Sequence, residues 1–334
     1  MFIVEDYSLA VIFCIITMLC WGSWGNTQKL AAKTWRYELF YWDYVIGILL
    51  LSFIFAFTLG SLGESGRGFI EDLRQADTKN IGSAFVGGVI FNAANILLST
   101  AIAIAGMSVA FPVGIGIALV LGVIVNYAGS QKGNPILLFT GVGLITLAII
   151  LNAVAYKKTT SANNQKVSTK GLLVSILAGV LMSFFYRFVA AAMDLENFTN
   201  PAEGLMTPYT AVVIFSLGVF ISNFIFNTIL MRRPISGQPT GYKEYFSGSF
   251  GTHMVGVLGG LIWGVGNSFN LIAAGKAGAA ISYGLGQGAT LVAALWGVFI
   301  WKEFKNAGKE ISALIGIMLI LFLAGIIAII YAGQ

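Results

Sequence analysis

Three sets of amide, hydroxyl and aromatic side chains recur at helical spacing inside apolar stretches of this sequence. Asn92, Asn95 and Ser99 fall at i, i+3 and i+7, while Trp263, Asn267 and Asn270, like Tyr283, Gln287 and Thr290, fall at i, i+4 and i+7. Such spacing puts each set on one helix face. Upstream, the run CWGSWGNTQK (20–29) sets Trp21 and Trp24 beside Asn26, Thr27 and Gln28. Polar groups are costly in hydrocarbon unless partnered, so their positions point to a site. An indole face can stack on a flat ring or cover the C–H face of a sugar, and an amide offers a donor and an acceptor side by side. The set expected to line a cavity for a small uncharged solute is Trp21, Trp24, Asn26, Asn95, Trp263, Asn267, Tyr283 and Gln287. Two plainer readings stand beside it. Single amides can tie helices together, at about 0.6 kcal/mol each on average, and the 20–29 run can be an interfacial tryptophan belt with a polar helix end.

Few charged residues fall at depth. Asp43 lies about one and a half turns into an apolar segment, with Glu38 before it. A carboxyl group held out of water can exchange a proton as its exposure changes, so Asp43 is the first candidate for proton coupling and Glu38 the second. Glu38 can equally pair with Arg36 or Lys33. Arg187, within another apolar segment, is a possible charge partner or a snorkelling side chain. His253 is the lone histidine and a weaker candidate for pH coupling. Cys14 and Cys20, six residues apart, imply neither a disulfide framework nor a metal site.

The elements that must position these groups follow from composition. Of 334 residues 57% are apolar and only 10% charged, against roughly 25% charged in soluble domains. That excludes a soluble enzyme, a nucleic-acid-binding domain and a disordered chain. It implies an all-α integral membrane protein in a lipid bilayer, with no nucleic-acid partner. Spans of about 20 apolar residues are expected near 8–29, 38–59, 81–104, 108–128, 135–155, 171–193, 206–231, 252–274, 279–300 and 311–332. The connections at 105–107 and 275–278 are short enough to force tight antiparallel hairpins, and Phe69, Ile70 and Leu73 suggest a short helix between spans two and three. With Glu5 and Asp6 at its start, the first apolar run reads as a retained helix rather than a cleaved signal. Of the 19 Lys and Arg residues, thirteen fall in loops on one side and five on the other. The positive-inside rule then puts the first side in the cytoplasm and both termini outside the inner membrane.

Residues 87–127 align without gaps to 259–299 at an offset of 172, with eleven of 41 positions identical, among them Asn95/Asn267, Gly88/Gly260 and Gly106/Gly278. Spans three and eight cross in opposite directions, so the repeat is inverted: five helices (1–155), a polar cytoplasmic linker (156–170) and five more (171–334). Inverted repeats mark alternating-access transporters, with the substrate site near the midplane between the halves.

Neither a catalytic nor a cofactor motif is found: H-E-x-x-H, G-x-S-x-G and Walker A patterns are absent. C-W-G-S-W-G-N-T-Q-K-L (20–30), W-R-Y-E-L-F-Y-W-D-Y (35–44), G-G-V-I-F-N-A-A-N (87–95) and V-N-Y (125–127) resemble the ureide permeases and their bacterial relatives. W-G-V-F-I-W-K-E-F (296–304) is similar to the end of span nine in the wider drug/metabolite transporter superfamily, which includes glucose/ribose porters and rhamnose–proton symporters. The resemblance implies ten helices in an inverted repeat, no cofactor, and proton-coupled uptake of allantoin, uracil and related oxo-purines and oxo-pyrimidines. Plant members carry a long cytoplasmic centre with a Walker-A-like motif; this chain has only the short 156–170 linker, so nucleotide-linked regulation does not carry over. A sugar or other metabolite porter of the same superfamily is the second reading. A membrane receptor or scaffold is the third, although the chain has no sizeable soluble domain to mark it. Composition and spacing leave the oligomeric state open.

Overall fold

The computed structural model describes residues 1–63, 65–162, 168–302, 304 and 308–334. Its helices run in the order α1 (Tyr7–Ala31), α2 (Tyr37–Phe57), α3 (Phe69–Gln75), α4 (Thr78–Ala105), α5 (Met107–Gly129), α6 (Pro135–Ala162), α7 (Thr169–Ala190), α8 (Pro208–Arg232), α9 (Tyr242–Phe246), α10 (Phe250–Ala277), α11 (Ala279–Gly286), α12 (Ala289–Leu295) and α13 (Lys309–Ala332). Among the described residues, ten units are long and apolar enough to cross a membrane: α1, α2, α4 to α8, α10, the α11–α12 pair and α13. They match the expected spans within a few residues. Polar side chains mark several starts, where the first backbone N–H groups have no intrahelical partner. Asp6 accepts from Leu9 N–H at 2.8 Å, Ser168 from Gly171 at 3.2 Å and Ser249 from Thr252 at 3.2 Å.

Both expected hairpins are present, and both turn on a glycine in the same conformation. Gly106 (φ 81°, ψ 158°) joins α4 to α5, and Gly278 (φ 82°, ψ 151°) joins α10 to α11. Any side chain would be strained there. Packing likewise fits the expected inverted repeat. Helix α1 lies along α10 as α4 lies along α7, α2 meets α10 as α4 meets α8, and α6 packs on α13. The crossings are set by glycines. A Cβ on Gly88 would lie 2.0 Å from Phe215 O of α8, and one on Gly260 would lie 2.0 Å from Tyr44 O of α2. A Cβ on Gly141 of α6 would meet Gly325 O of α13 at 2.7 Å, and one on Gly325 would meet Gly141 O at 2.8 Å. Small residues let backbones approach this closely in lipid, where dispersion and weak hydrogen bonds must hold helices together.

The ninth span departs from a single straight helix. Helix α11 ends at Gly286, Gln287 and Gly288 form a tightened turn, α12 follows, and a π-helical turn at Trp296–Ile300 ends the span. Bonds from Gly288 N to Leu285 O (3.0 Å) and from Leu291 N to Gly288 O (2.9 Å) bridge the break. Helix α3 forms where Phe69, Ile70 and Leu73 suggested it. The 156–170 linker is partly helical, since α6 continues to Ala162 and α7 begins at Thr169; residues 163–167 of that linker and Glu303 lie outside the described residues.

One end of the bundle is tied shut. Asp72 of α3, fully buried, accepts from Arg67 Nε at 3.0 Å and from Thr207 N–H at 2.8 Å. Arg67 also donates to Pro201 O and Leu205 O, both at 2.8 Å. Tyr209 OH donates to Phe2 O at 3.0 Å, and Phe198 packs on Gly275. The segment between α7 and α8 is thereby fastened to the α2–α3 connection. At the other end Arg36 pairs with Glu38 (2.7 Å) and donates to Gln238 O.

Candidate functional site

A cavity of about 30 Å³ is lined from six spans. Helix α1 supplies Trp21 and Trp24, α4 Phe91, Asn95 and Leu98, α5 Phe111 and Ile115, and α7 Met182 and Phe185. Trp263 comes from α10, and Gln287 and Ala289 from the break between α11 and α12. Irregular backbone at membrane depth is tolerated where it lines a cavity or is buried in protein, and the break at Gln287 meets that condition. Five expected residues therefore meet here: Trp21, Trp24, Asn95, Trp263 and Gln287. The indoles of Trp21 and Trp263 stack with ring centres 5.9 Å apart and planes 10° off parallel. Trp24 sits against Tyr44 (4.8 Å) and Phe111 (6.4 Å). Asn95 Nδ2 donates to Tyr41 OH at 3.3 Å. Trp21 Nε1, buried, has no hydrogen-bond partner among the described residues. Aromatic faces of this kind suit a planar solute, and the amide and indole groups suit its polar edge. At 30 Å³ the space takes only about one or two waters, so this is a closed state around the centre.

A second cavity of about 550 Å³ opens towards the Arg36 end. Gln28, Lys29, Trp35, Arg36, Tyr37 and Glu38 line it together with Ile102, Gly106, Met107, Tyr156 and Gly237. Its size against the central cavity, with the Asp72 end tied down, gives the molecule an open vestibule at the Arg36 end.

The remaining expected residues sit elsewhere. Asn26 accepts from Trp301 Nε1 at 2.7 Å and donates to Ser23 O at 3.0 Å, while Trp296 Nε1 reaches Ser23 Oγ at 2.9 Å. The two tryptophans at the end of the ninth span thus bond to α1 one turn apart, and Lys29 Nζ lies 4.0 Å from the centre of the Trp301 ring. Tyr283 is fully buried; its hydroxyl lies 3.2 Å from Ala118 O and 3.3 Å from Met182 O, bridging α5 and α7 over Gly122. Asn267, 1% exposed, faces protein rather than lipid, and its Oδ1 has no partner among the described residues. Neither Tyr283 nor Asn267 is among the residues lining the central cavity. Arg187 lays its guanidinium against Gly129 at the end of α5.

Asp43 stands outside both cavities, in a polar cluster near the Arg36 end. Its Oδ1 lies 2.8 Å from His253 Nδ1 and accepts from Tyr245 OH at 2.7 Å, and Oδ2 accepts from Trp35 Nε1 at 3.3 Å. Burial, then the hydrogen bond to Asp43, raises the Tyr245 phenol above its ordinary range, so it remains a donor. Glu38 is fully buried and accepts from Arg36 Nη2 at 2.7 Å and Nε at 3.2 Å.

The cavity residues missed in the sequence are apolar. Phe91 and Leu98 flank Asn95 at four and three residues, so continuing that stripe would have found them. Met182 and Phe185 carry no local polar signal at all.

Comparison with known proteins identifies the family. The ureide permease family model matches residues 40–170 and 163–333. Ureide permease 4 of Arabidopsis thaliana is 25% identical over 98% of this chain and 97% of its own length. The probable glucose uptake protein GlcU of Priestia megaterium is 26% identical over 66% of this chain and 69% of its own. A solved crystal structure superposes with a TM-score of 0.58 at 13% identity over 96% of both chains, a likeness of fold. With two matches that together cover most of its ten spans, and with relatives that are named permeases rather than enzymes, this multi-pass membrane transporter belongs to the ureide permease family.

Proposed function

We propose that the chain imports a small neutral nitrogen heterocycle of the allantoin, uracil or oxo-purine type together with protons, by alternating access at the central cavity. The observation that carries this reading is the convergence of three tryptophans, Asn95 and Gln287 on one small space at a helix break. Stacking suits a flat ring, and the amides suit an –NH–C(=O)– edge. Residues 1–155 and 171–334 act as the two repeats, with the Arg36 end in the cytoplasm and both termini outside. The Lys and Arg distribution supports that orientation. Asp43 carries the coupling proton, supported by its burial beside His253 and Tyr245; Glu38, ion-paired to Arg36, is the second choice.

Likeness to a glucose uptake protein favours one further reading, in which the solute is a sugar and the same indoles cover its C–H face. Uptake of labelled allantoin, uracil and rhamnose into cells expressing the chain separates the two. Accumulation of a heterocycle that collapses when the proton gradient is dissipated supports the first; accumulation of the sugar alone overturns it. A thermal-shift screen of purified protein against the same panel gives an independent readout, because a bound solute raises apparent stability by mass action.

A further inference from the structure

We propose that Gln28 and Ser99 form the gate between the central cavity and the vestibule, an inference that rests on the transport reading above. The two residues clasp each other reciprocally: Ser99 Oγ donates to Gln28 Oε1 at 2.8 Å, and Gln28 Nε2 donates to Ser99 O at 2.9 Å. Both are buried, at 3% and 0% exposure. Their positions define what the clasp divides. Gln28 follows Trp24 by one turn on α1, and Ser99 follows Asn95 by one turn on α4. Trp24 and Asn95 line the central cavity, whereas Gln28 itself and Ile102, three residues past Ser99, line the vestibule.

The chemistry suits a gate. The clasp is made of neutral hydrogen bonds, whose net worth is small because water in the vestibule can replace them. The opposite end of the bundle is closed by a buried ion pair and several loop contacts around Asp72, a heavier closure. A solute leaving the cavity with an –NH–C(=O)– edge can take over the amide and hydroxyl groups of the clasp as it passes, so opening leaves no buried polar group unpaired.

The test needs no substrate. In the full chain, Cys14 and Cys20 are replaced by Ala, and the cavity wall receives a single reporter thiol through Ala289→Cys. A charged methanethiosulfonate is then added to purified protein in detergent, and the rate of labelling at position 289 is followed. The parent should label slowly. Ser99→Ala, which removes the hydroxyl bond and keeps the backbone acceptor, should label about five-fold faster, the factor expected for one net hydrogen bond. Gln28→Ala, which removes both bonds, should label faster still, and Ser99→Thr should return to the parent rate. Rapid labelling of the parent, or equal rates in parent, Ser99→Ala and Ser99→Thr, overturns the gate. Should Gln28→Ala not fold, the two Ser99 variants decide. Because the substrate assignment is tested by uptake, its failure is distinguishable from failure of the gate.

Discussion

Asp43 of α2 and His253 of α10 are 210 residues apart in sequence and 2.8 Å apart in space. The pair ties the second span to the eighth near the Arg36 end, and Tyr245 of α9 completes it from the α8–α10 connection at 2.7 Å. A carboxylate, an imidazole and a phenol at the junction of three elements can register a proton as a change in how those elements are held together. That is the structural ground for giving Asp43 the coupling role.

Replacing Asp43 by Asn keeps the shape and removes the proton site. Accumulation driven by a pH gradient should fall by an order of magnitude or more, while exchange of labelled for unlabelled solute at equal concentrations on both sides continues. Full gradient-driven accumulation in Asp43→Asn removes the assignment. His253→Gln, which retains a hydrogen-bonding side chain, should shift the pH profile of uptake rather than abolish it.

Trp21 and Trp263 stack on each other at 5.9 Å in the cavity wall. Changing either to Ala removes an aromatic face worth about 0.5–1.5 kcal/mol beyond its buried area, so KM for the imported solute should rise by about two- to thirteen-fold. Trp→Phe should retain most of the affinity. Transport assays at varied solute concentration read the effect; unchanged KM in both alanine variants places the site elsewhere.

Gly88 and Gly260 sit where a Cβ would come within 2.0 Å of a backbone oxygen on the neighbouring helix. Ala at either position must push two helices apart, an overpacking cost of about 1–3 kcal/mol. Both variants should lose several degrees of apparent melting temperature in detergent. Ala at Gly143, where no atom lies within 4 Å of the added Cβ, should leave it nearly unchanged.

Asp72 is buried with Arg67 and Thr207 N–H as partners. Asp72→Ala leaves Arg67, with a side chain only 18% exposed, without its counter-ion. Breaking a buried pair costs about 3 kcal/mol, so the variant should melt markedly lower. Arg67→Met, which strands the fully buried Asp72 carboxylate and removes the bonds to Pro201 O and Leu205 O, should also melt lower. Equal stability of both variants and the parent contradicts the closure described for that end.

Lipid imposes a simple rule that can be read from local residues: apolar runs long enough to span, glycines where the chain must reverse, polar side chains only where something will satisfy them. The ten spans, the Gly106 and Gly278 hairpins and five of the cavity residues were legible for that reason. Which face of one helix meets which face of another is a property of pairs far apart in the chain. Tyr283 and Gln287 lie one turn apart on one predicted stripe, yet the turn at Gln287–Gly288 sends Gln287 to the cavity and leaves Tyr283 bridging two helices. Asn26 reads as a cavity residue or a polar helix end, and only the packing of the ninth span on α1 makes Trp301 its partner. Met182 and Phe185 enter the cavity wall solely because α7 lies along α4 and α5. Hydropathy acts residue by residue along the chain and so is written in it locally. Register between helices is settled by the close fit of all ten at once.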